Sequence, residues 1–408
     1  MKKQIAQLAL VGLFIFMIQT PAFGQGSTYS GSYEVSAPIV LTGASNLTIS
    51  NLQITNPGGN CITLTNCTNI TIQNCKLGPS KGEGVSIENC NNITVVNCTM
   101  ELIRTGVYAQ ASTGVKVNYN DVKNILGPMP RGQMVQFNDV SGADNSISFN
   151  VAENIAGQSA TEDVISLYMS NGTELSPIKV AGNWIRGGGP SVSGGGIMTG
   201  DNGGSYVLVE NNILVNPGQY GLSVAGGHHI TIRNNKVYSQ KFTFANIGLV
   251  AWNQYSFASY SNTIMNNEIN YTNNNGVINN MWNAGNMGVV TGWDTNTYNS
   301  NVTASILPSK IIGRVVAITT DVPVAPVTNQ IKIYPSVVND HLTVESTSEI
   351  KNGTIEIFNI KGQRIINLPI IEMNTEISTS QFATGVYIVK ILNNNEQLEV
   401  KKIIVGRN

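Results

Sequence analysis

The sequence predicts an all-β chain whose larger part is a stacked solenoid. Three observations predict it. A phrase of alternating apolar residues recurs at an interval in the low twenties. One position of that phrase is held by Asn or Cys each time. A second short alternating strand follows each phrase.

The chain has 408 residues, too many for one ordinary domain, so several modules are expected. Net charge is −1 and only 12% of residues are charged. This argues against nucleic-acid binding, which needs a basic face. The apolar content argues against disorder.

The start of the chain reads as a signal peptide. Lys2 and Lys3 form a basic region, an apolar run extends from Ile5 to Ile18, and Ala22 and Gly24 offer small residues for cleavage. Residues 1–24 are therefore expected to be removed. No later stretch is apolar enough to span a membrane.

The repeat reads apolar-x-apolar-x-x-(Asn/Cys)-x-apolar. It occurs at Ile70–Leu77, Ile93–Met100 and Val115–Val122, then at Ile178–Ile185, Val207–Leu214 and Ile230–Val237. Period-2 alternation turns the apolar side chains of a strand to one face. One coil cannot bury that face alone, but stacked coils share a continuous core. Asn suits the corners because it tolerates the left-handed region and bonds its own backbone. Stacking forms one column from Cys75, Cys98, Asn120, Asn183, Asn212, Asn235 and Asn267, in which Asn amides can bond up and down. A second column pairs Cys67 with Cys90. The five cysteines, Cys61 included, read as buried free thiols acting as small apolar residues, with inter-coil disulfides as the alternative that the spacing allows. The second strands include Gly106–Gln110, Met134–Asn138, Val164–Tyr168, Gly196–Gly200, Gly221–Ala225 and Gly248–Trp252. About nine coils are expected from Asn46 to about Met287, with the residues before Asn46 capping the first.

This stretch resembles the right-handed parallel β-helix proteins, the architecture of pectate-lyase-like enzymes. The resemblance implies a right-handed parallel β-helix over residues 25–310. It transfers no catalytic residues. The Arg-x-Pro-x-x-Arg phrase of pectate lyases, the Asp-Asp and Gly-His-Gly phrases of polygalacturonases and the Asp-Pro-His-Asp phrase of alginate epimerases are all missing from the sequence.

Residues 311–330 lose the repeat and read as an extended linker around Val322–Val327. Residues 331–408 carry a new all-β pattern. Tyr334-Pro335 opens it, Ile355–Asn359 with Gly362 and Gly385-Val386-Tyr387 follow, and Lys401-Lys402 precede a closing apolar strand. This tail resembles the C-terminal sorting domain of the type IX secretion system, although Ser336-Val337 replaces the second half of that family's Tyr-Pro-Asn-Pro opening. The resemblance implies a small β-sandwich sorting domain, export through the outer membrane by the type IX machinery, and release or surface anchoring. A monomer is expected.

Four coils carry insertions just before the second strand, at residues 127–132, 157–163, 186–191 and 239–243. Stacked loops on a rigid scaffold should wall one groove. Arg104, Arg131 and Glu162-Asp163 then fall on successive coils at one edge. Tyr108, Gln136, Ser166 and Tyr168 project from the adjoining strands, with Tyr220, Lys241 and Trp252 further along. Arginine forks onto carboxylates, so such a groove suits a uronate-containing polysaccharide. The sharpest expectation is a polysaccharide lyase. Arg131 or Arg104, or a Ca²⁺ held by Glu162, Asp163 and Asp201, would neutralise the uronate carboxylate. Tyr168, or an arginine, would transfer the proton. The other use of Arg131 is an ion pair with Glu162 that holds the loops. A glycoside hydrolase is the nearest rival and needs two carboxylates. Glu162 or Asp163 would supply one, and Asp139 and Asp201 sit at equivalent ends of their strands, two coils apart. A non-catalytic glycan-binding or adhesin-like surface protein is the remaining class. His228 and His229 read as surface residues.

Overall fold

The computed structural model describes residues 26–313, 331–346, 353–359, 363–370, 373–393 and 396–406. The expected signal peptide, residues 1–24, and most of the expected linker lie outside them. The chain divides into two compact units, Met1–Ala317 and Ile318–Asn408.

The first unit is a solenoid of three parallel sheets with eleven, ten and nine strands among the described residues. Each coil gives one strand to each sheet in turn, as with Thr99–Glu101, Thr105–Gln110 and Thr113–Asn118. Neighbouring coils pair in register. Ile72, Val95, Val117, Ile147, Val180 and Val209 thus form one inward column in the nine-stranded sheet, each almost fully buried. Burial of such columns, at about 25 cal/mol per Å² of apolar surface, holds the coils together.

The Asn/Cys phrase has a two-residue explanation. Its first residue turns the corner in the left-handed region, as Asn74, Asn97, Asn211 and Asn234 do with φ of 53° to 57°. The second points inward. In the later coils its amide bonds the next coil: Asn183 Nδ2 donates to Asn212 Oδ1 at 2.9 Å, and Asn212 Nδ2 to Asn235 Oδ1 at 2.9 Å. The ladder also runs through Asn150 and Asn296, which the repeat phrase alone passes over. In the early coils thiols occupy the same place, and the backbone N–H of Cys75 meets Cys98 Sγ at 3.5 Å. All five cysteines are free and buried.

The ten-stranded sheet begins at Ile39–Thr42 and ends at Met281–Asn283. It holds one strand more than the nine coils expected. Ile39–Thr42 does not merely cap: it pairs in register with Ile62–Thr65 and forms part of the first coil. After the last coil the chain runs back along the eleven-stranded sheet, where Leu307 and Ile311 pack against Val151 and Val215 of its middle strands. Ile311, expected to open the linker, is thus buried against the solenoid, and Gly313 N donates to Asp121 Oδ2 at 3.2 Å.

The second unit is a small all-β domain. Ile331–Tyr334, His341–Ser346 and Asn374–Ser378 form one antiparallel sheet, and a five-stranded sheet includes Gly353–Asn359, Gly385–Asn393 and Glu396–Val405. Ile333, Leu342, Ile355, Ile357, Val389 and Ile403 lie in its core. The Tyr of the Gly-Val-Tyr phrase, Tyr387, is largely buried and donates its hydroxyl to Ala383 O at 2.9 Å.

Candidate active site

The long loops all leave the eleven-stranded sheet and enter the ten-stranded one, so they stack along a single edge of the latter. The outward floor of that sheet is a registered column: Gln136, Ser166, Met198, Ser223, Val250 and Trp282 sit on successive coils. Two clefts open along it.

The first cleft encloses about 290 Å³ and is lined by Arg131, Gln136, Glu162, Asp163, Tyr168 and Asp201, among others. Asp163 is buried ahead of the strand Ile165–Tyr168. One of its oxygens accepts the N–H of Gly195 at 2.9 Å and the hydroxyl of Tyr220. Burial pushes the Asp163 carboxyl up to about 7. The two hydrogen bonds oppose this, while the charges of Glu162 and Asp201 add to it. Glu162 is also buried and accepts from Ser193 Oγ at 2.7 Å. Asp201 accepts from the Tyr255 hydroxyl, and burial raises its pKa as well.

Asp201 owes its position to a bulge. Ser166 faces Met198, but Tyr168 faces Asp201, so one extra residue is inserted in the strand Ile197–Asp201. Gly200 supplies it with a φ of 67°, and a Cβ there would lie 2.1 Å from Gly226 O. A bulge of this kind re-aims the residue after it. Asn138, Tyr168 and Asp201 therefore share one column. The expected equivalence of Asp139 and Asp201 does not hold: Asp139 is an exposed corner residue with a φ of 56°.

Arg131 lines the same cleft but is engaged. Its Nε lies 3.4 Å from Glu83 Oε1, an Nη donates to Gln136 Oε1 at 3.4 Å, and the guanidinium sits 3.9 Å from the Tyr108 ring centroid. Its ion-pair partner is thus Glu83, two coils earlier, and not Glu162. Tyr108 lies beneath it, only 7% exposed. The Tyr108 hydroxyl donates to Gln110 Oε1 at 2.7 Å and accepts from Asn138 Nδ2 at 2.9 Å. It offers no free face to a ligand. Tyr168 is half-buried and its hydroxyl accepts from Asn202 Nδ2 at 2.8 Å.

The remaining expected residues are spread out. Arg104 is half-buried, has no ion pair among the described residues and lies outside the lining of the first cleft. Lys241 is exposed and lies against Gly276. Tyr220 is 4% exposed, so its hydroxyl serves Asp163 and the residue is not an open aromatic platform. Among the described residues, no three His, Cys, Asp or Glu side chains converge as a metal-holding group. Glu162, Asp163 and Asp201 are each turned to a different hydroxyl instead.

The second cleft, about 350 Å³, continues toward the last coils and includes Met198, Tyr220, Val250, Trp252 and Trp282 in its lining. Trp252 and Trp282 are 42% and 48% exposed, with ring centroids 5.8 Å apart and planes inclined at 56°. Four residues that complete the two clefts escaped the sequence reading: Glu83, Ser193, Tyr255 and Trp282. Trp282 alone had a signal, as the outward residue of the short alternating run at Met281–Asn283.

Comparison with known proteins agrees with this geometry at the level of fold and export. Residues 37–237 match the right-handed β-helix region family, and residues 332–406 match the secretion system C-terminal sorting domain. The chain is a right-handed β-helix protein that ends in a sorting domain. That domain directs type IX secretion to the cell surface or the extracellular space, and implies contact with the type IX machinery. No curated protein matches the chain.

Proposed function

We propose that the β-helix domain is an extracellular glycoside hydrolase, with Asp163 as general acid and Asp201 as general base. The observation that carries this reading is the asymmetry of the carboxyl groups in the first cleft. Glycoside hydrolysis needs one carboxyl that still holds its proton near neutral pH and another that is ionised. Asp163 is the more deeply buried of the two and is pushed up to about 7, and it shares the cleft with Asp201 and Glu162.

The two acids stand at opposite ends of the strand Ile165–Tyr168. Asp163 lies ahead of it and Asp201 faces its last residue one coil on, yet both side chains line the one cleft and the charge of Asp201 acts on Asp163. Tyr220, Gly195 and Tyr255 position the acids. Arg131 favours the hydrolase over the lyase in a negative sense. A lyase needs a cation free to neutralise a uronate, and this guanidinium is shared between Glu83, Gln136 and the Tyr108 ring.

The test is turnover on a panel of neutral and uronate polysaccharides, with Ca²⁺ or with chelator. New reducing ends and the ultraviolet absorbance of unsaturated ends are followed together. Reducing ends alone, lost in Asp163→Asn and Asp201→Asn, support hydrolysis. Unsaturated ends would replace it with lyase chemistry. Binding without either signal would make the groove a glycan-recognition surface.

A further inference from the structure

The second cleft differs from the first in kind. The first is lined by Arg131, Glu162, Asp163 and Asp201. The second has no Asp, Glu, Lys, Arg or His in its lining. Its apolar surfaces are the indoles of Trp252 and Trp282 with Val250 and Met198. Its polar surfaces are amides and hydroxyls. The side chains of Gln219, Asn246 and Gln254 line it and make no hydrogen bond among the described residues.

We infer that this cleft is a binding subsite for uncharged sugar residues of a chain that runs along the solenoid into the carboxylate cleft. This inference rests on the reading of the groove as a glycan site, and narrows its ligand to a neutral polysaccharide. A pyranose has an apolar face that packs on an aromatic ring and a rim of hydroxyls that needs amide partners. The cleft presents both. A uronate would place its carboxylate among apolar groups with no cation to meet it, a large desolvation cost. In the first cleft it would meet three acidic side chains.

The register sets the direction. The strand after Asp163 lies four coils from that of Trp282, roughly 19 Å at about 4.8 Å per coil. Tyr220 joins the two clefts: it lines the second and its hydroxyl reaches Asp163 in the first. A ligand seated on the indoles therefore spans several sugar residues before it reaches the acids.

The experiment uses the full chain carrying Asp163→Asn, so that bound sugar is not consumed. Calorimetry and tryptophan fluorescence follow titration with neutral hexasaccharides (cello-, xylo- and manno-) and with galacturonate and mannuronate hexamers. The expected result is binding of a neutral hexamer, insensitive to salt, with Trp282→Ala weakening it by about tenfold or more and Trp282→Phe by less. Circular dichroism confirms that each variant is folded. Binding of uronates alone would overturn the inference. So would neutral binding unchanged by both Trp252→Ala and Trp282→Ala, or no binding by any hexamer. Neutral binding without cleavage by the unmodified chain would leave this subsite standing and refute the hydrolase instead.

Discussion

The Tyr220 hydroxyl donates to the carboxylate of Asp163 across an intervening coil, and that coil supplies the second donor to the same oxygen, Gly195 N. Three consecutive turns of the solenoid thus converge on one acid. Because both bonds fall on one oxygen, the other is where a proton can be held.

This arrangement makes a pH prediction with a definite sign. The Asp163 carboxyl rises from 3.8 to about 7 on folding. Its contribution to stability is fully present below 3.8 and is lost as pH rises through about 7. Asp163→Asn imitates the protonated acid and keeps an oxygen for both donors. Its melting temperature relative to the unmodified chain should therefore rise from pH 4 to pH 8; a constant difference would show that Asp163 is not proton-linked. Turnover should fall by about 10²–10⁴-fold. Tyr220→Phe removes a bond that favours the ionised form, so the high-pH limb of the rate profile should move upward while the enzyme remains active.

The buried ladder predicts unequal costs along one column. Asn183 Oδ1 accepts from both the N–H and the amide of Asn150, and its own amide reaches Ile147 O at 2.8 Å. Asn183→Ala leaves several of these groups unpaired in the core, and should cost about 3 kcal/mol or more in urea denaturation. Cys98 occupies the same column but spends little on hydrogen bonding, and burial pushes its thiol well up. Cys98→Asn places an amide beside Asn120 Oδ1 and Ile72 O, and should change stability by less than about 1 kcal/mol. Equal losses at the two positions would mean that the ladder contributes only volume.

Gly200 predicts a link between backbone and chemistry. An alanine Cβ would meet Gly226 O at 2.1 Å and would have to adopt a φ of 67°. Gly200→Ala should flatten or shift the bulge, lower stability by about 1–3 kcal/mol and turn Asp201 from the cleft. Activity should fall more than the folded fraction does. If turnover per folded molecule is unchanged, the bulge does not position Asp201.

The repeat was legible because its cause is local: alternation, a left-handed corner and an inward Asn recur within eight residues. Asn150 hid because Asn145 stands where the phrase has its first apolar residue, so Asn145–Ala152 no longer reads as a repeat. The stacked loops were legible as insertions at one corner. Their side-chain partners were not, because partners come from other coils. Arg131 finds Glu83 across 48 residues, and Asp163 finds Tyr220 across 57. Tyr108 lies in a column that points outward, yet Arg131 covers it. The bulge at Gly200 shifts register by one residue, which strand counting from the sequence cannot register.

Arg131 gives the prediction that separates the two chemistries. Were it the uronate clamp of a lyase, Arg131→Ala would abolish turnover on a uronate polymer and leave stability little changed. Its neighbours argue otherwise. Removing the guanidinium uncovers the Tyr108 ring and leaves Glu83, only 9% exposed, without its cation. The pair is partly buried and its N–O distance is 3.4 Å, so a loss of about 1–2 kcal/mol is expected, below the cost of breaking a fully buried pair. Glu83→Gln in the same background should recover part of that loss, because the orphaned charge disappears. Turnover on a neutral polymer should persist within about tenfold, since neither acid contacts Arg131. Denaturation of the single and double variants, read beside their rates, checks both halves. A stable, inactive Arg131→Ala would return Arg131 to the reaction centre and the lyase to first place.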